Sequence, residues 1–254
     1  MRNPSPQGCW IVGHRGTMTY APENTMSAFK RGQELGADLL ECDVHLSKDQ
    51  KCIVMHDEGV ERTTNGHGLI QELTSSMLKK LDAGSWFSKQ FKGEKILTLD
   101  ELLKWIVPQK SKSQLPLGLV IEIKNEPIRY LGIEKKIIDI VLKFKMQDRV
   151  ILIAFDHGVI KRAKYYHKNI AGGILYSRNL ENPIERARQV QADAIFPRRN
   201  LLSRELVQKA HQNKLSIGTW TVDEIQEMKQ ILKYPIDTMT SNMPERIIRL
   251  LKGN

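Results

Sequence analysis

Residues 37–57 read A-D-L-L-E-C-D-V-H-L-S-K-D-Q-K-C-I-V-M-H-D, the pattern of two extended segments joined by a polar turn. Side chains alternate between the two faces of a strand, so Glu41 and Asp43 share one face. The turn is too short for a parallel crossover, so residues 52–55 are predicted to return antiparallel to the first segment. His56 then lies near both carboxylates, and such a group is a candidate catalytic or metal-binding cluster.

The whole chain has the composition of an ordinary globular protein. Its 254 residues suit one α/β barrel, although two domains remain possible. The formal net charge of +10 would suit nucleic acid, a membrane surface or the steering of a small anionic substrate. The 39 Lys and Arg residues are spread along the chain and aromatic residues make up only 6%. We therefore expect a solvated basic surface and no nucleic-acid partner.

The N-terminal segment and the cysteines indicate the compartment. The first nine residues contain no apolar core, and no apolar run in the chain approaches the roughly 18 residues that span a bilayer. We expect no secretory signal, no membrane anchor and a cytoplasmic location. Cys9, Cys42 and Cys52 lack C-x-x-C spacing, so they are predicted to be buried thiols without a disulfide.

Short apolar runs alternate with helical patterns along the chain. Parallel strands are predicted at residues 9–13, 38–44, 119–123, 150–154, 170–175, 194–196, 216–220 and 236–240. Helices are predicted from 24 or 25 to 35, from 98, and near 130–145, 158–167, 183–190, 203–213, 223–232 and 244–251. This alternation predicts the α/β class, with a single (β/α)₈ TIM barrel as one domain over residues 1–254. An open doubly wound sheet is the alternative, but no G-x-G-x-x-G follows the first strand.

Residues 57–95 interrupt the alternation. Turn residues dominate there, and no strong period is present. We interpret this stretch as an insertion over one end of the barrel, since long loops in compact domains are usually functional or disordered. Thr98 and Glu101 are spaced as a capping box and predict the start of the next helix.

Polar residues accumulate where the predicted strands end, which is where a barrel of this kind places its active site. They are His14, Arg15, Glu41, Asp43, Glu122 and Lys124. Three carboxylates at one barrel mouth are costly to bury unless positive charge lies among them. Lys124, Arg15 or a divalent cation would supply it, and carboxylate oxygens suit Mg²⁺, Ca²⁺ or Mn²⁺.

Two histidines are candidates for proton transfer. His14 and His56 each lie at a strand end beside charged residues, and imidazole titrates near neutral pH. The remaining histidines are interpreted as surface or packing residues, with the orientation of the first left open: His45, His67, His157, His167 and His211.

Seven ordered motifs extend over nearly the whole chain. They are H-R-G (14–16), P-E-N-T (22–25), E-C-D-V (41–44), V-M-H-D (54–57), R-T-T-N-G (62–66), I-E-I-K (121–124) and T-W-T-V (219–222). Together they resemble the motifs of the glycerophosphodiester phosphodiesterase family. The resemblance implies a barrel enzyme that hydrolyses glycerophosphodiesters to sn-glycerol 3-phosphate and an alcohol, with Mg²⁺ or Ca²⁺ as cofactor. Its expected partner is therefore a small-molecule substrate, and the oligomeric state stays open.

The resemblance also implies a role for each residue that matches a family motif. It implies Glu41, Asp43 and Glu122 as metal ligands, His14 and His56 as general base and general acid, Arg15 and Lys124 as phosphate contacts, and Trp220 and Phe155 as the lining of the glycerol or leaving-group pocket. The order in which the two histidines act stays open. So do two alternatives: lysophospholipase D-like action on lysophospholipids, and a non-catalytic barrel that binds anions.

Three positions depart from the family pattern. Gln50 stands in place of the usual Gly, Asp223 in place of Asn, and T-S-N-M-P (240–244) in place of T-D-x-P. We expect none of them to touch the metal ligands or the proton-transfer residues.

Overall fold

The computed structural model describes residues 8–252. The predicted lack of a secretory signal concerns residues 1–9, most of which lie outside this range. The strands are β1 Trp10–Gly13, β2 Leu39–Leu46, β3 Cys52–Val54, β4 Leu97–Thr98, β5 Gly118–Ile123, β6 Val150–Ala154, β7 Ala171–Tyr176, β8 Ala194–Pro197, β9 Ser216–Thr219 and β10 Thr238–Ser241. The α-helices are α1 Met26–Leu35, α2 Ser75–Leu78, α3 Leu99–Ile106, α4 Ile133–Lys143, α5 His157–Tyr166, α6 Pro183–Gln189, α7 Arg204–Gln212, α8 Ile225–Ile231 and α9 Pro244–Lys252.

Eight parallel strands close into a barrel. Around the barrel the order is β1, β10, β9, β8, β7, β6, β5 and β2. Strand β1 pairs in parallel with both β10 and β2, so this sheet has no free edge. The predicted TIM barrel is confirmed. The open doubly wound alternative is wrong because β1 pairs with the last strand, β10, and so closes the eight parallel strands into a ring.

The predicted antiparallel return after the second strand is also confirmed. Strand β3 pairs with β2 so that Val44 lies opposite Val54 and Leu46 opposite Cys52. The short strand β4, which had no clear sequence pattern, pairs in turn with β3. As predicted, Cys9, Cys42 and Cys52 are buried thiols.

Strand β2 separates the two faces as its alternation predicted. Leu39 packs among apolar side chains of the barrel interior. Leu40, Cys42 and Val44 pack in the layer between the sheet and the helices. All eight residues of the strand are buried. Since Glu41 and Asp43 have the parity of Leu39, they point into the barrel.

The barrel interior is filled with apolar side chains. This layer consists of Val12, Leu39, Val120, Ile151, Ile153, Leu175, Ala194 and Phe196, with Trp10, Phe155, Ala171 and Trp220 partly buried against it. A packed interior leaves space for polar side chains only at its two ends.

Helix α1 packs tightly on the loop that follows β1. The side chain of Thr25 caps the helix by accepting a hydrogen bond from the Ala28 amide, and Gly36 ends it with φ 101°. Gly16 has φ 84°, and a Cβ there would lie 2.5 Å from the carbonyl carbon of Ala28. The third residue of H-R-G must therefore be glycine to bring the loop this close to the helix.

The insertion at residues 57–95 shares a small apolar cluster with the residues that flank it. It contains α2 and single turns of 3₁₀-helix at Ile70–Glu72 and Lys89–Phe91. The cluster consists of Ile53, Met55, Val60, Ile70, Leu78, Ala83 and Ile96. Two of these residues belong to the β3 hairpin segment, so the insertion is packed onto the hairpin. The predicted capping box of Thr98 and Glu101 is confirmed.

No helix within residues 8–252 has the length and apolar composition that a bilayer crossing requires. The predictions of a cytoplasmic location and of one domain over residues 1–254 stay predictions.

Candidate functional site

Three carboxylates meet at the C-terminal end of the barrel. Glu41 and Asp43 lie late in β2, and the pairing with β5 sets Glu122 directly opposite Asp43. One oxygen from each side chain can be chosen so that all lie within 4.8 Å of one another. Glu41 and Asp43 are buried, with 4% and 1% of their surface exposed. The alternation of β2 and its register with β5 are sufficient to bring these acids together.

The acids differ in their electrostatic surroundings. Burial raises the pKa of Glu41 and of Glu122, and the nearby Asp43 raises both further. Burial alone would also raise the pKa of Asp43, but Lys124 and Arg15 hold it well below its usual range. The Nζ atom of Lys124 lies 2.7 Å from Glu122 Oε1 and 3.3 Å from Asp43 Oδ1. Lys124 therefore lies among the acids and compensates part of their charge.

A chain of ion pairs connects this group to the insertion. Arg15 Nη1 lies 2.8 Å from Glu23 Oε1, and its Nε lies 3.5 Å from Asp43 Oδ2. Arg62 donates to both oxygens of Glu23 at 2.8 Å. The other edge of the Arg62 guanidinium donates to Asp57 at 2.5 and 3.0 Å. Glu23 is thus the buried link between the β1 loop and the insertion.

The charges of this network do not balance. Its carboxylates are Glu23, Glu41, Asp43, Asp57 and Glu122, and its cationic side chains are Arg15, Arg62 and Lys124. When all five carboxyl groups are ionised, they exceed the three positive groups by two negative charges. The donors of the central group are all carboxylate oxygens, which are the ligands that Mg²⁺ and Ca²⁺ prefer. Both the charge and the donor chemistry fit one divalent cation.

The ring of His14 lies at the end of β1 beside a neutral partner. Its Nδ1 is 2.7 Å from Asn242 Oδ1. Burial and the positive charge of Arg15 lower the pKa of His14 to about 4, against the weaker opposing effects of Asn242 and Asp43. The ring is therefore neutral near pH 7.

The ring of His56 lies at the end of the hairpin beside a charged partner. Its Nδ1 is 2.5 Å from Asp57 Oδ1, and its side chain is about one-third exposed at 32%. Although burial alone would raise the pKa of Asp57, the hydrogen bonds from Arg62 and His56 lower it to about 2. His56 and His14 both interact electrostatically with Asp43, so both lie at the same end of the barrel.

Two aromatic residues form another part of the barrel mouth. Phe155 follows β6 and Trp220 follows β9, and their rings meet edge to face with centroids 5.6 Å apart. The indole Nε1 of Trp220 donates to the Phe196 carbonyl at 2.9 Å. Trp220 also lines an open cavity of about 370 Å³, with Ser177, Arg198, Arg199, Thr221 and Asp223. This part of the mouth has an apolar wall and a polar rim.

The structure brings together the residues that the sequence singled out and adds others. The additional residues are Glu23, Asn24, Asp57, Arg62, Asp223 and Asn242. Four of them belong to motifs that the sequence displayed, since Glu23 and Asn24 lie in P-E-N-T, Asp57 in V-M-H-D and Arg62 in R-T-T-N-G. Asn24, for example, donates to Asp43 Oδ2 at 2.9 Å. Inclusion in a motif was the available signal for these four residues.

The expectation that the departures from the family pattern avoid the proton-transfer residues is wrong. Asn242 makes a direct hydrogen bond to His14, and Asp223 makes two hydrogen bonds to Asn242. Closure of the barrel brings the ends of β1, β9 and β10 together, which sequence distance hides.

His45, whose orientation was left open, is buried with 2% exposed. Its ring bridges Tyr130 Oη at 3.1 Å and the His56 carbonyl at 3.0 Å. Burial lowers the pKa of His45 to about 4. This side chain therefore supports the backbone of His56 in its neutral form.

Comparison with known proteins identifies a family. The model of the glycerophosphoryl diester phosphodiesterase family matches residues 14–246. A glycerophosphodiester phosphodiesterase of Caldanaerobacter subterraneus subsp. tengcongensis is 37% identical over 242 residues, which cover 95% of this chain and 97% of that protein. A glycerophosphodiester phosphodiesterase of Bacillus altitudinis is 32% identical over 244 residues, which cover 94% of this chain and 97% of that protein.

Solved structures share the fold. A phosphodiesterase of Oleispira antarctica, solved in complex with the product sn-glycerol-3-phosphate, superposes with a TM-score of 0.83. It is 25% identical to this chain, and the match covers 96% of each.

Proposed function

The chain belongs to the glycerophosphoryl diester phosphodiesterase family, and from this premise we propose that it hydrolyses small glycerophosphodiesters with one divalent cation. It is a glycerophosphodiester phosphodiesterase. The proposed products are sn-glycerol 3-phosphate and the alcohol of the head group. The observation that supports the proposal is the convergence of Glu41, Asp43 and Glu122 at the barrel mouth, where Lys124 is the cationic side chain paired with two of the three acids.

We assign Glu41, Asp43 and Glu122 as the ligands of the cation, either Mg²⁺ or Ca²⁺. A cation bound there would withdraw electron density from the phosphoryl oxygens and stabilise the charge that develops during attack on phosphorus. Arg15 and Lys124 border the same acids and would contact the remaining phosphate oxygens. The diester is an anion, so these positive groups also bind it in the ground state.

His14 is the proposed general base. A base must be neutral before the reaction, and burial beside Arg15 keeps this ring neutral at pH 7. The ring would take the proton of the nucleophile, which is either water or the 2-hydroxyl of the glycerol; in the second case a cyclic phosphate forms, which water then opens. The negative charge of the bound phosphodiester then compensates the charge that the ring acquires.

His56 is the proposed general acid. It would donate its proton to the departing alkoxide oxygen, which is a poor leaving group unless protonated. Its Nδ1 lies against the Asp57 carboxylate, which stabilises the ring while it carries a positive charge. Arg62 holds that carboxylate in place from the opposite side.

Phe155 and Trp220 are the proposed wall of the substrate pocket. Their edge-to-face rings supply an apolar surface at the mouth, against which the carbon atoms of the glycerol or of the head group would pack. The polar rim beside Trp220 leaves the other end of the substrate in contact with water.

The test is a coupled assay for sn-glycerol 3-phosphate released from glycerophosphocholine, with and without a chelator. Chelation and the Glu41→Gln variant are each expected to lower kcat/KM at least about 100-fold. Glu134→Gln is the matched control, because Glu134 is a buried glutamate paired with Arg162 on the outer helices. Its activity should remain within about twofold of wild type.

A thermal-shift measurement separates metal binding from catalysis. Mg²⁺ or Ca²⁺ should raise the Tm of the wild type and leave that of Glu41→Gln unchanged. Without metal, Glu41→Gln should have a higher Tm than wild type. The folded protein raises the pKa of Glu41, so the charged form destabilises the metal-free fold at neutral pH.

Two results would contradict the proposal. Full activity in chelator would remove the cation from the mechanism. Faster cleavage of lysophosphatidylcholine than of glycerophosphocholine would assign the site to lysophospholipids.

A further inference from the structure

The ring of His14 is held at one nitrogen. Its Nδ1 lies 2.7 Å from the side-chain oxygen of Asn242, and its Nε2 has no protein hydrogen-bond partner among residues 8–252. Strands β1 and β10 are paired so that Gly13 lies opposite Ser241. The residues that follow these strands, His14 and Asn242, are therefore neighbours at the barrel mouth.

The orientation of the Asn242 amide is fixed by Asp223. The Asn242 Nδ2 donates to Asp223 Oδ2 at 2.7 Å, and the Asn242 backbone N–H donates to Asp223 Oδ1 at 2.8 Å. The hydroxyl of Ser241 donates to the same Oδ1 at 3.0 Å. An ionised carboxylate only accepts, so the amide must turn its NH₂ group to Asp223 and its oxygen to His14.

Asp223 has no Lys or Arg within ion-pair distance in the described part of the chain. The three hydrogen bonds to its carboxylate all come from Ser241 and Asn242, and Arg246 donates only to its backbone carbonyl. Its carboxylate therefore serves the orientation of this one amide and the turn that carries it.

We propose that Asp223 is a positioning residue that, through Asn242, fixes the proton of the neutral His14 ring on Nδ1 and so leaves the lone pair on Nε2. The amide oxygen can only accept, so Nδ1 must donate. A neutral imidazole has one N–H, so Nε2 is the nitrogen that can accept the proton of the nucleophile. This inference rests on the proposed role of His14 as base.

An isosteric substitution provides a sharp test. In Asp223→Asn the new amide oxygen still accepts from Ser241 and from the Asn242 backbone, so its NH₂ group faces the NH₂ group of Asn242. The Asn242 amide must then rotate by 180° and turn its NH₂ group to His14. Nδ1 becomes the acceptor, and the ring proton moves to Nε2, where it blocks the base.

Exchanging the two side chains should restore the arrangement. In Asp223→Asn/Asn242→Asp the new amide donates to the new carboxylate, which accepts from His14 Nδ1. Every donor and acceptor of the wild-type network then has a partner again. Asn242→Asp alone sets two carboxylates against each other and should be impaired.

The readout is the ¹⁵N spectrum of the His14 ring in the full-length enzyme, assigned by its loss in His14→Gln. Recorded at a pH where the ring is neutral in each protein, wild type and the exchange variant should show the proton on Nδ1, and Asp223→Asn should show it on Nε2. On glycerophosphocholine, Asp223→Asn should lower kcat about 10- to 100-fold with KM within about twofold. The exchange variant should recover kcat to within about tenfold of wild type at a higher pH, because its carboxylate beside Nδ1 raises the pKa of the ring.

Asp237→Asn is the matched control. Asp237 also accepts from a backbone N–H, that of Ile217, and from a side chain, His211, but at the opposite end of the same strand pair. The Asp237→Asn variant should have the same His14 tautomer and the same kcat as wild type.

The proposal is overturned if Asp223→Asn keeps the proton on Nδ1, whatever its activity, or if the exchange variant does not return the proton to Nδ1. Because the tautomer is measured without substrate, this outcome is distinct from failure of the proposed diester hydrolysis.

Discussion

The surroundings of His14 and His56 present the same three-part arrangement with the charges in a different order. At His14 the ring meets a neutral amide, and the carboxylate of Asp223 lies behind that amide. At His56 the ring meets the carboxylate of Asp57 directly, and the guanidinium of Arg62 lies behind it. Each ring thus has a partner that is held by a further charged group.

This difference is the basis of the opposite roles proposed for two chemically identical side chains. Burial and a neighbouring arginine keep His14 uncharged, which suits a base, and the neutral amide beside the ring opposes them only weakly. A carboxylate in contact with His56 stabilises a ring that carries a proton to donate, which suits an acid. The charge of the group that touches each ring therefore distinguishes the proposed base from the proposed acid.

The largest expected effect would break this comparison directly. His14→Ala and His56→Ala should each lower kcat on glycerophosphocholine about 10²- to 10⁴-fold. On glycerol phosphate esterified to p-nitrophenol, whose leaving group needs no proton, His56→Ala should recover most of its activity and His14→Ala should not. Steady-state rates on both substrates measure this. The reverse pattern would exchange the two assignments.

The link between the two surroundings is the next point to test. Glu23 is buried and binds both Arg15 and Arg62. Glu23→Gln removes one charged partner from each of the two guanidinium groups. The free energy of unfolding should therefore fall by about 2 to 3 kcal/mol. Urea unfolding monitored by circular dichroism measures it. Glu34→Gln, which removes an exposed carboxylate near Arg31, is the control and should change stability by less than about 0.5 kcal/mol.

The support of His56 by His45 should be visible in the pH dependence of stability. The folded protein lowers the pKa of His45 from 6.5 to about 4, so the unfolded chain binds more protons between these values. Stability is therefore intact above pH 6.5 and falls as the pH drops towards 4. From pH 7 to pH 5, wild type should lose about 2 kcal/mol more than His45→Gln. Equal losses in the two proteins would show that His45 is not the titrating group.

The smallest effect sharpens the acid assignment. Asp57→Asn keeps the shape of the partner of His56 but removes its charge, so kcat on glycerophosphocholine should fall about tenfold. The loss on the p-nitrophenyl ester should be smaller, because that reaction does not need the acid. A loss of the same size on both substrates would indicate damage to the site as a whole.

Much of the fold could be predicted because its causes are local. The alternation of β2 predicted which of its side chains share a face, and the short turn after it predicted the antiparallel hairpin. The capping box at Thr98 set the start of one helix correctly, and of the two starts left open for α1 the structure has the cap at Thr25. The structure of the insertion was harder to predict, because the residues of its apolar cluster follow no periodic pattern in the sequence.

The positions of the three acids could also be predicted from the sequence. Glu41 and Asp43 share a face by alternation alone, and a strand end predicted the position of Glu122. The network around them, with Glu23 linking two arginines, did not follow, because ion-pair partners depend on which loops lie side by side.

The sequence by itself determined the barrel, the inward face of the acids and the pair of histidines, because strand alternation, turn length and capping act between near neighbours. Only the tertiary structure decided what lies behind each histidine. His14 and Asn242 are 228 positions apart, and they meet because β1 and β10 close the barrel side by side. Closure is a property of the whole sheet, so no local pattern predicts that Asp223 and Asn242 stand behind His14.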